Sequence, residues 1–182
     1  MITLIRHGLD DERYIGGWSD VDLIDVGVGQ IEEVGKFLKD SNYRIDKIYA
    51  SDVLRAQTTA KILASHISKE IIYDHTFREL NKGDLNGMPV EIAKQLYPSY
   101  KEVDDIYPNG ESMLEFYKRI KEKLDYILSL DNSAIITHRG VINMLYFILL
   151  NKEVDMDKKQ FGVEHASVHL LDPIERTIHR VR

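Results

Sequence analysis

The chain has 182 residues, 43% hydrophobic and 30% charged, which suits one globular domain over residues 1–182 with a real core. Its 24 Lys and Arg against 30 Asp and Glu leave a formal charge of −6 with no basic block, which argues against nucleic-acid and membrane-surface binding. There is no cysteine, so disulfides, thiolate zinc sites and thiol nucleophiles are excluded.

Ile2–Arg6 reads as a short buried strand, followed by a polar stretch from Gly8 to Asp22. Ile24, Val28, Ile31, Val34 and Leu38 keep helical spacing, with Asp25 a candidate cap. Lys47–Ala50 is a second strand. Val53, Ala56, Ala60, Leu63 and Ile67 then step as a helix opening at Ser51 or Asp52. A third strand, Glu70–Tyr73, leads into a loop with Glu79, Gly83 and Gly87, and Pro89 opens a short helix to Leu96. Ser112 and Glu115 form a capping-box pattern ahead of Met113, Phe116, Ile120, Leu124 and Ile127. Ser133–Thr137 is the fourth strand and Val141–Leu150 a mostly buried helix, far short of the roughly 20 residues of a bilayer span. Val168–Leu171 and Thr177–Val181, split by Asp172-Pro173, pair as a hairpin.

This alternation predicts an α/β fold: a layered α/β/α sandwich whose mostly parallel central sheet has helices on both faces. In such sheets the ligand sits beyond the carboxyl ends of the strands. Arg6, His7 and Gly8 follow the first strand, Ser51 and Arg55 the second, Glu79 lies past the third, and His138 follows the fourth. Topology thus gathers two imidazoles, two guanidiniums and a carboxylate at one rim.

Two guanidinium forks suit the oxygens of a phosphoryl group, and phosphoryl transfer asks mainly for positioning and charge neutralisation. A neutral imidazole can attack phosphorus in line, and nearby Arg6 and Arg55 disfavour its protonation. Gly8 allows close backbone approach, and a ring nitrogen bonded to a backbone carbonyl would fix the tautomer of His7. Glu79 can protonate the leaving alkoxide and then accept a proton from water. The scheme needs no metal and no cofactor.

Leu4-Ile5-Arg6-His7-Gly8 resembles the signature of the histidine phosphatase superfamily, also called phosphoglycerate mutase-like. The likeness continues through Gly17-Trp18-Ser19-Asp20, Ser51 to Ala60, Arg78-Glu79-Leu80, Pro108 to Ser112, Thr137 to Val141 and Ala166-Ser167-Val168. By that resemblance His7 is the nucleophile, Arg6, Arg55 and His138 hold the phosphoryl group, and Glu79 is the proton donor. Three departures bear on substrate choice. Leu9-Asp10-Asp11-Glu12-Arg13 is shorter than the family's usual stretch and lacks its phosphate-touching Asn; Arg13 either replaces that contact or faces solvent. Arg139 stands where a small residue is usual, and His165 where Asn is frequent. Arg13, Ser51, Arg139, Gly140 and His165 form the candidate substrate-binding set.

Other residues read more plainly. Asp10, Asp11 and Glu12 read as a solvated loop, Trp18 as packing of the first loop, and Tyr14 as a tyrosine within reach of a ligand. His165 and His169 share a strand face, but two imidazoles without a nearby carboxylate do not make a zinc site.

The expected activity is hydrolysis of small phosphorylated metabolites through a phosphohistidine. The alternatives are a cofactor-dependent phosphoglycerate mutase and a non-catalytic phosphate-binding regulator. Mutases of the superfamily carry a longer insertion than the about twenty residues between Gly87 and Pro108, which favours hydrolysis. In scale the chain is similar to the α-ribazole phosphatase and broad-specificity members. A cytoplasmic monomer or homodimer is expected, acting on neither nucleic acid nor membrane.

Overall fold

The computed structural model describes residues 1–97, 102–157 and 159–182. Strands β1 (Ile2–Arg6), β2 (Lys47–Ala50), β3 (Ile71–Tyr73), β4 (Ser133–Thr137), β5 (Val168–Asp172) and β6 (Thr177–Arg180) form a sheet in the order β3-β2-β4-β1-β5-β6. The β3-β2, β2-β4 and β4-β1 pairings are parallel; β1-β5 and β5-β6 are antiparallel. The sheet is therefore mostly parallel, as expected, with the predicted hairpin completing one edge.

Alternation along the central strands explains the two layers. Ile2 and Leu4 of β1, with Ile135 of β4 and Leu171 of β5, face one cluster. Ile5, Ala134, Ile136 and Val168 face the other. All of these are buried, as a sheet covered on both faces requires. The second cluster is closed by α1 (Asp25–Asp40) and α2 (Leu54–Ile67) through Ile31, Val34, Leu38, Ala56, Ala60 and Leu63. The first is closed by α4 (Met113–Glu122), α5 (Leu124–Ser129) and α6 (Arg139–Leu149) through Phe116, Ile120, Ile127, Val141 and Leu145. A short α3 (Val90–Leu96) lies between them in the chain.

The capping box at α4 forms in full: Ser112 Oγ accepts from the Glu115 N–H, and the Glu115 carboxylate accepts from the Ser112 N–H. Other helix starts differ from expectation. Ile24 and Val53 are the N-caps of α1 and α2, and neither start has a side-chain cap. Asp25 is already inside α1, while Asp52 is drawn off into an ion pair with Arg78, 2.6 Å. The α4 helix is also interrupted, with Lys123 separating it from α5. Finally, α6 begins two residues before the predicted Val141, which puts Gly140 in its first turn with an N–H that has no partner within the helix.

Candidate active site

Parallel register brings the ends of β1, β2 and β4 together, and the chemistry follows from what the chain carries there. The backbone around His7 is pinned on both sides. Its N–H donates to the Thr137 carbonyl, 3.0 Å, and its carbonyl accepts from the Ala166 N–H, 3.1 Å. Beyond it the chain runs directly against α1: a Cβ on Gly8 would stand 2.5 Å from the Gly27 carbonyl oxygen.

Nδ1 of His7 lies 2.7 Å from the Gly8 carbonyl oxygen. A carbonyl can only accept, so Nδ1 carries the proton and Nε2 is left with its lone pair. Arg55 Nε donates to that Nε2 across 3.2 Å. Burial, reinforced by Arg55 and His138, pushes the His7 pKa well below its ordinary value, although Asp10 pulls the other way. The ring is neutral at physiological pH.

Arg55, in the first turn of α2, is almost wholly enclosed. Its Nη2 donates to the Gly17 carbonyl, 2.8 Å, and to His138 Nδ1, 3.2 Å, while the buried Nη1 has no partner among the described residues. Arg6 Nη1 donates to the Val163 carbonyl, 2.9 Å, and its buried Nε likewise has none. Each such donor costs about 1–3 kcal/mol until a ligand satisfies it. Burial, followed by the neighbouring Arg139, lowers the Arg6 pKa to about 9, which leaves the guanidinium charged. Arg6, His7, Asp10, Arg55, Glu79, Arg139 and Gly140 all line one cavity, whose apolar wall includes Met113, Phe116, Met144 and Phe147. Two charged forks with unused donors beside an unprotonated imidazole nitrogen can seat a tetrahedral oxyanion.

Glu79 is held in the cavity wall from two directions. Its Oε1 accepts from the Leu80 N–H, 2.9 Å, and its Oε2 from the Gly140 N–H at the start of α6, 3.1 Å. Arg119 and Trp18 donate to its backbone carbonyl at 3.1 and 2.7 Å, which ties Trp18 of the first loop to the main chain at Glu79.

The other candidate residues differ in their access to the cavity. His138 joins the cluster, its ring 5.1 Å from that of His7, but it is fully buried and does not line the cavity. Its Nδ1 accepts from Arg55 and its Nε2–H donates to Ser51 Oγ, 2.9 Å, so in this arrangement it orients Arg55. Burial, then the charges of Arg55, Arg6 and Arg119, drive its pKa well below the ordinary value. Ser51 is correspondingly a buried partner of His138 and has no face on the cavity. Arg13 is 82% exposed and paired with Asp11, 2.5 Å, away from the cavity, because its loop turns it outward. Tyr14 is also exposed outside the cavity. His165 contacts Arg6 Nη2 at 2.5 Å and stands 5.6 Å, ring to ring, from His7.

Asp10 is the residue that sequence reasoning misplaced. It is not solvated: its side chain is 13% exposed, lines the cavity, and stands 3.4 Å from both Arg55 Nε and His165 Nε2. Burial alone would raise its pKa, but the contact with His165, then His7 and Arg55, hold it well below the carboxylate range. An isolated bridge between Asp10 and Leu23 folds the loop back and turns this side chain inward, a long-range effect that local spacing does not reveal.

Ligand atoms of His7, Asp10 and His165 lie within 4.8 Å of one another, the arrangement of a possible metal site among the described residues. Guanidinium donors already occupy the Nε2 lone pairs of both imidazoles, so the set fits an anion better than a dication. Among the described residues no helix is long and apolar enough to cross a membrane.

The family model for the histidine phosphatase superfamily, branch 1, matches residues 2–181. Phosphoglycerate mutase-like protein 4 of Arabidopsis thaliana is 34% identical over 159 residues, covering 80% of this chain and 69% of the relative. A protein of Bacillus subtilis named as the uncharacterized phosphatase PhoE is 31% identical over 150 residues, covering 79% and 74%. Among solved structures, a putative α-ribazole-5′-P phosphatase of Escherichia coli superposes with a TM-score of 0.82 at 18% identity, over 99% of this chain and 93% of that one. That last likeness concerns the fold.

Proposed function

The chain belongs to the histidine phosphatase superfamily, branch 1, and on that premise we propose that it is a phosphomonoester phosphatase that forms a phosphohistidine on His7. The observation that carries the reading is the unprotonated Nε2 of His7, fixed by the 2.7 Å contact of Nδ1 with the Gly8 carbonyl and held by Arg55 Nε, beside buried N–H groups of Arg6 and Arg55 that have no partner among the described residues.

In the first step His7 Nε2 attacks phosphorus in line, the P–N bond forms, and the ester P–O bond breaks. Glu79 gives its proton to the leaving oxygen. Arg6 and Arg55 turn their unused donors to the phosphoryl oxygens, where charge must be balanced as the group moves. In the second step Glu79 takes a proton from water, the oxygen attacks phosphorus, and the P–N bond breaks to release inorganic phosphate and restore neutral His7. Ser51 and His138 act by holding Arg55. The substrate is a small phosphorylated metabolite whose alcohol rests against Met113, Phe116, Met144 and Phe147.

The test is phosphate release from an aryl phosphate in excess chelator, with wild type and His7→Ala. Turnover and acid-labile labelling that both vanish in His7→Ala support the reading; labelling that survives places the nucleophile elsewhere. The 34% identity to a mutase-like relative keeps phosphoryl return to a second hydroxyl as the rival. Bisphosphate-primed isomerisation of 3-phosphoglycerate that outpaces hydrolysis would establish it.

A further inference from the structure

Asp10 brings a fixed negative charge into an anion seat, which the proposed chemistry does not use. A carboxylate on this wall can only accept hydrogen bonds. One of its oxygens is 3.4 Å from Arg55 Nε, the same N–H that reaches His7 Nε2 at 3.2 Å. A carboxylate oxygen and a ring nitrogen of His7 lie within 4.8 Å. Any oxyanion gripped by Arg55 at His7 therefore presents an oxygen to this carboxylate.

The loop holds Asp10 there. The Leu9 N–H donates to Gln30 Oε1, 2.9 Å, the Leu9 carbonyl accepts from the Ile24 N–H, 3.0 Å, and Asp10 itself bridges to Leu23. The groups facing it are Arg6 and His7 from the end of β1, Arg55 from α2, and His165 from the segment before β5. His165 Nε2 stands between Arg6 Nη2, 2.5 Å, and Asp10, 3.4 Å.

Resting on the reading of this cavity as a phosphoryl seat, we propose that Asp10 selects for a proton on the ligand: the seat accepts tetrahedral oxyanions bearing a hydroxyl and rejects those bearing none. Two unprotonated oxygens facing each other repel, whereas a P–OH donates a short, charge-assisted hydrogen bond to the carboxylate. Selection of this kind arises when a buried polar group is left unpaired by the wrong ligand. Phosphate monoesters lose their last proton at a pKa of about 6, so they enter as the monoanion. Inorganic phosphate keeps one hydroxyl at higher pH, and so the product holds the seat where the ester has lost its donor.

Orthophosphate and sulfate separate this effect from charge and shape. In slightly alkaline buffer both are mainly dianions of similar size, and only phosphate carries a hydroxyl. Titration calorimetry should give about 10- to 100-fold tighter binding of phosphate than sulfate by the wild type, the worth of one charge-assisted hydrogen bond. In Asp10→Asn sulfate affinity should rise until the two differ by less than about threefold, since the amide N–H can donate. If Asp10→Asn does not fold, Asp10→Ala provides the same comparison, with sulfate binding tighter than in the wild type. Equal binding of both ions by the wild type, an unchanged ratio in the variants, or no binding of phosphate at all overturns the proposal. Release of phosphate from an aryl phosphate is measured on the same preparations. His7-dependent turnover without ion selectivity removes this inference and leaves the hydrolase; selectivity without turnover does the reverse.

Discussion

The Nε–H of Arg55 points at the Nε2 lone pair of His7 across 3.2 Å, so a guanidinium holds the atom proposed to attack phosphorus. An arriving phosphoryl group must take over that N–H, and the same fork also anchors the Gly17 carbonyl and His138. Lysine keeps the charge but cannot serve these acceptors in one plane. Arg55→Lys should lower kcat/KM by about 10²–10³-fold, the usual cost of one transition-state donor. Steady-state kinetics alongside a thermal melt would check this; near-normal kcat/KM in the folded variant contradicts a clamping role.

Glu79 offers a test through the leaving group. Its carboxylate is aligned by the N–H groups of Leu80 and Gly140, and Gln preserves the shape without an acidic proton to give. Glu79→Gln should slow alkyl phosphates by about 10²–10⁴-fold and aryl phosphates, whose leaving groups need no acid, much less. Equal losses across a series of leaving groups would rule out proton donation.

Gly140 is required by space as well as by its N–H. A Cβ there would stand 2.0 Å from Glu79 Oε1 and 2.6 Å from Phe116 Cε1. Gly140→Ala should therefore push the carboxylate out of line, at a stability cost of about 1–3 kcal/mol. Activity toward alkyl phosphates should suffer more than activity toward aryl phosphates, as with Glu79→Gln. Full activity with both would show that the contact yields without moving Glu79.

Away from the cavity, His169 is fully buried between Tyr146 Oη, 2.9 Å, and Ser167 Oγ, 3.0 Å. Burial lowers its pKa from 6.5 to about 4. Between those values the unfolded chain binds the extra proton, so stability is retained above about pH 6.5 and falls as the pH drops toward 4. His7 and His138 act in the same direction. His169→Asn should narrow the stability difference between about pH 7 and pH 5 by on the order of 1–2 kcal/mol. Urea unfolding at the two values measures it, and an unchanged difference would mean that another group dominates acid sensitivity.

Arg13 supplies the contrasting case. It is exposed and paired with Asp11 outside the cavity, so Arg13→Ala should leave KM within about twofold, as surface ion pairs contribute little. A large rise in KM would mean that the loop turns inward when substrate binds.

Strand-borne features were legible because period and neighbours agree. Ile2–Arg6, Lys47–Ala50 and Ser133–Thr137 are short apolar runs at their predicted bounds, and parallel pairing then gathers Arg6, His7, Arg55 and His138. The capping box at Ser112 was legible for the same local reason. What stayed hidden depended on the path of a loop or on competition between partners. Asp10 and Arg13 are three residues apart, yet one turns into the cavity and the other out of it. Ser51 and Asp52 look like helix caps until His138 and Arg78 claim them.

β1 lies between strands supplied by residues 133–137 and 168–172, and the backbone beside His7 is closed by Ala166 and Ser167. During synthesis the imidazole is made well before the neighbours that fix it, which follow about 160 residues later in the chain. Chains arrested before β5 should therefore bind no phosphate however long they wait, and competence should come only once residues 166–172 are free to pair.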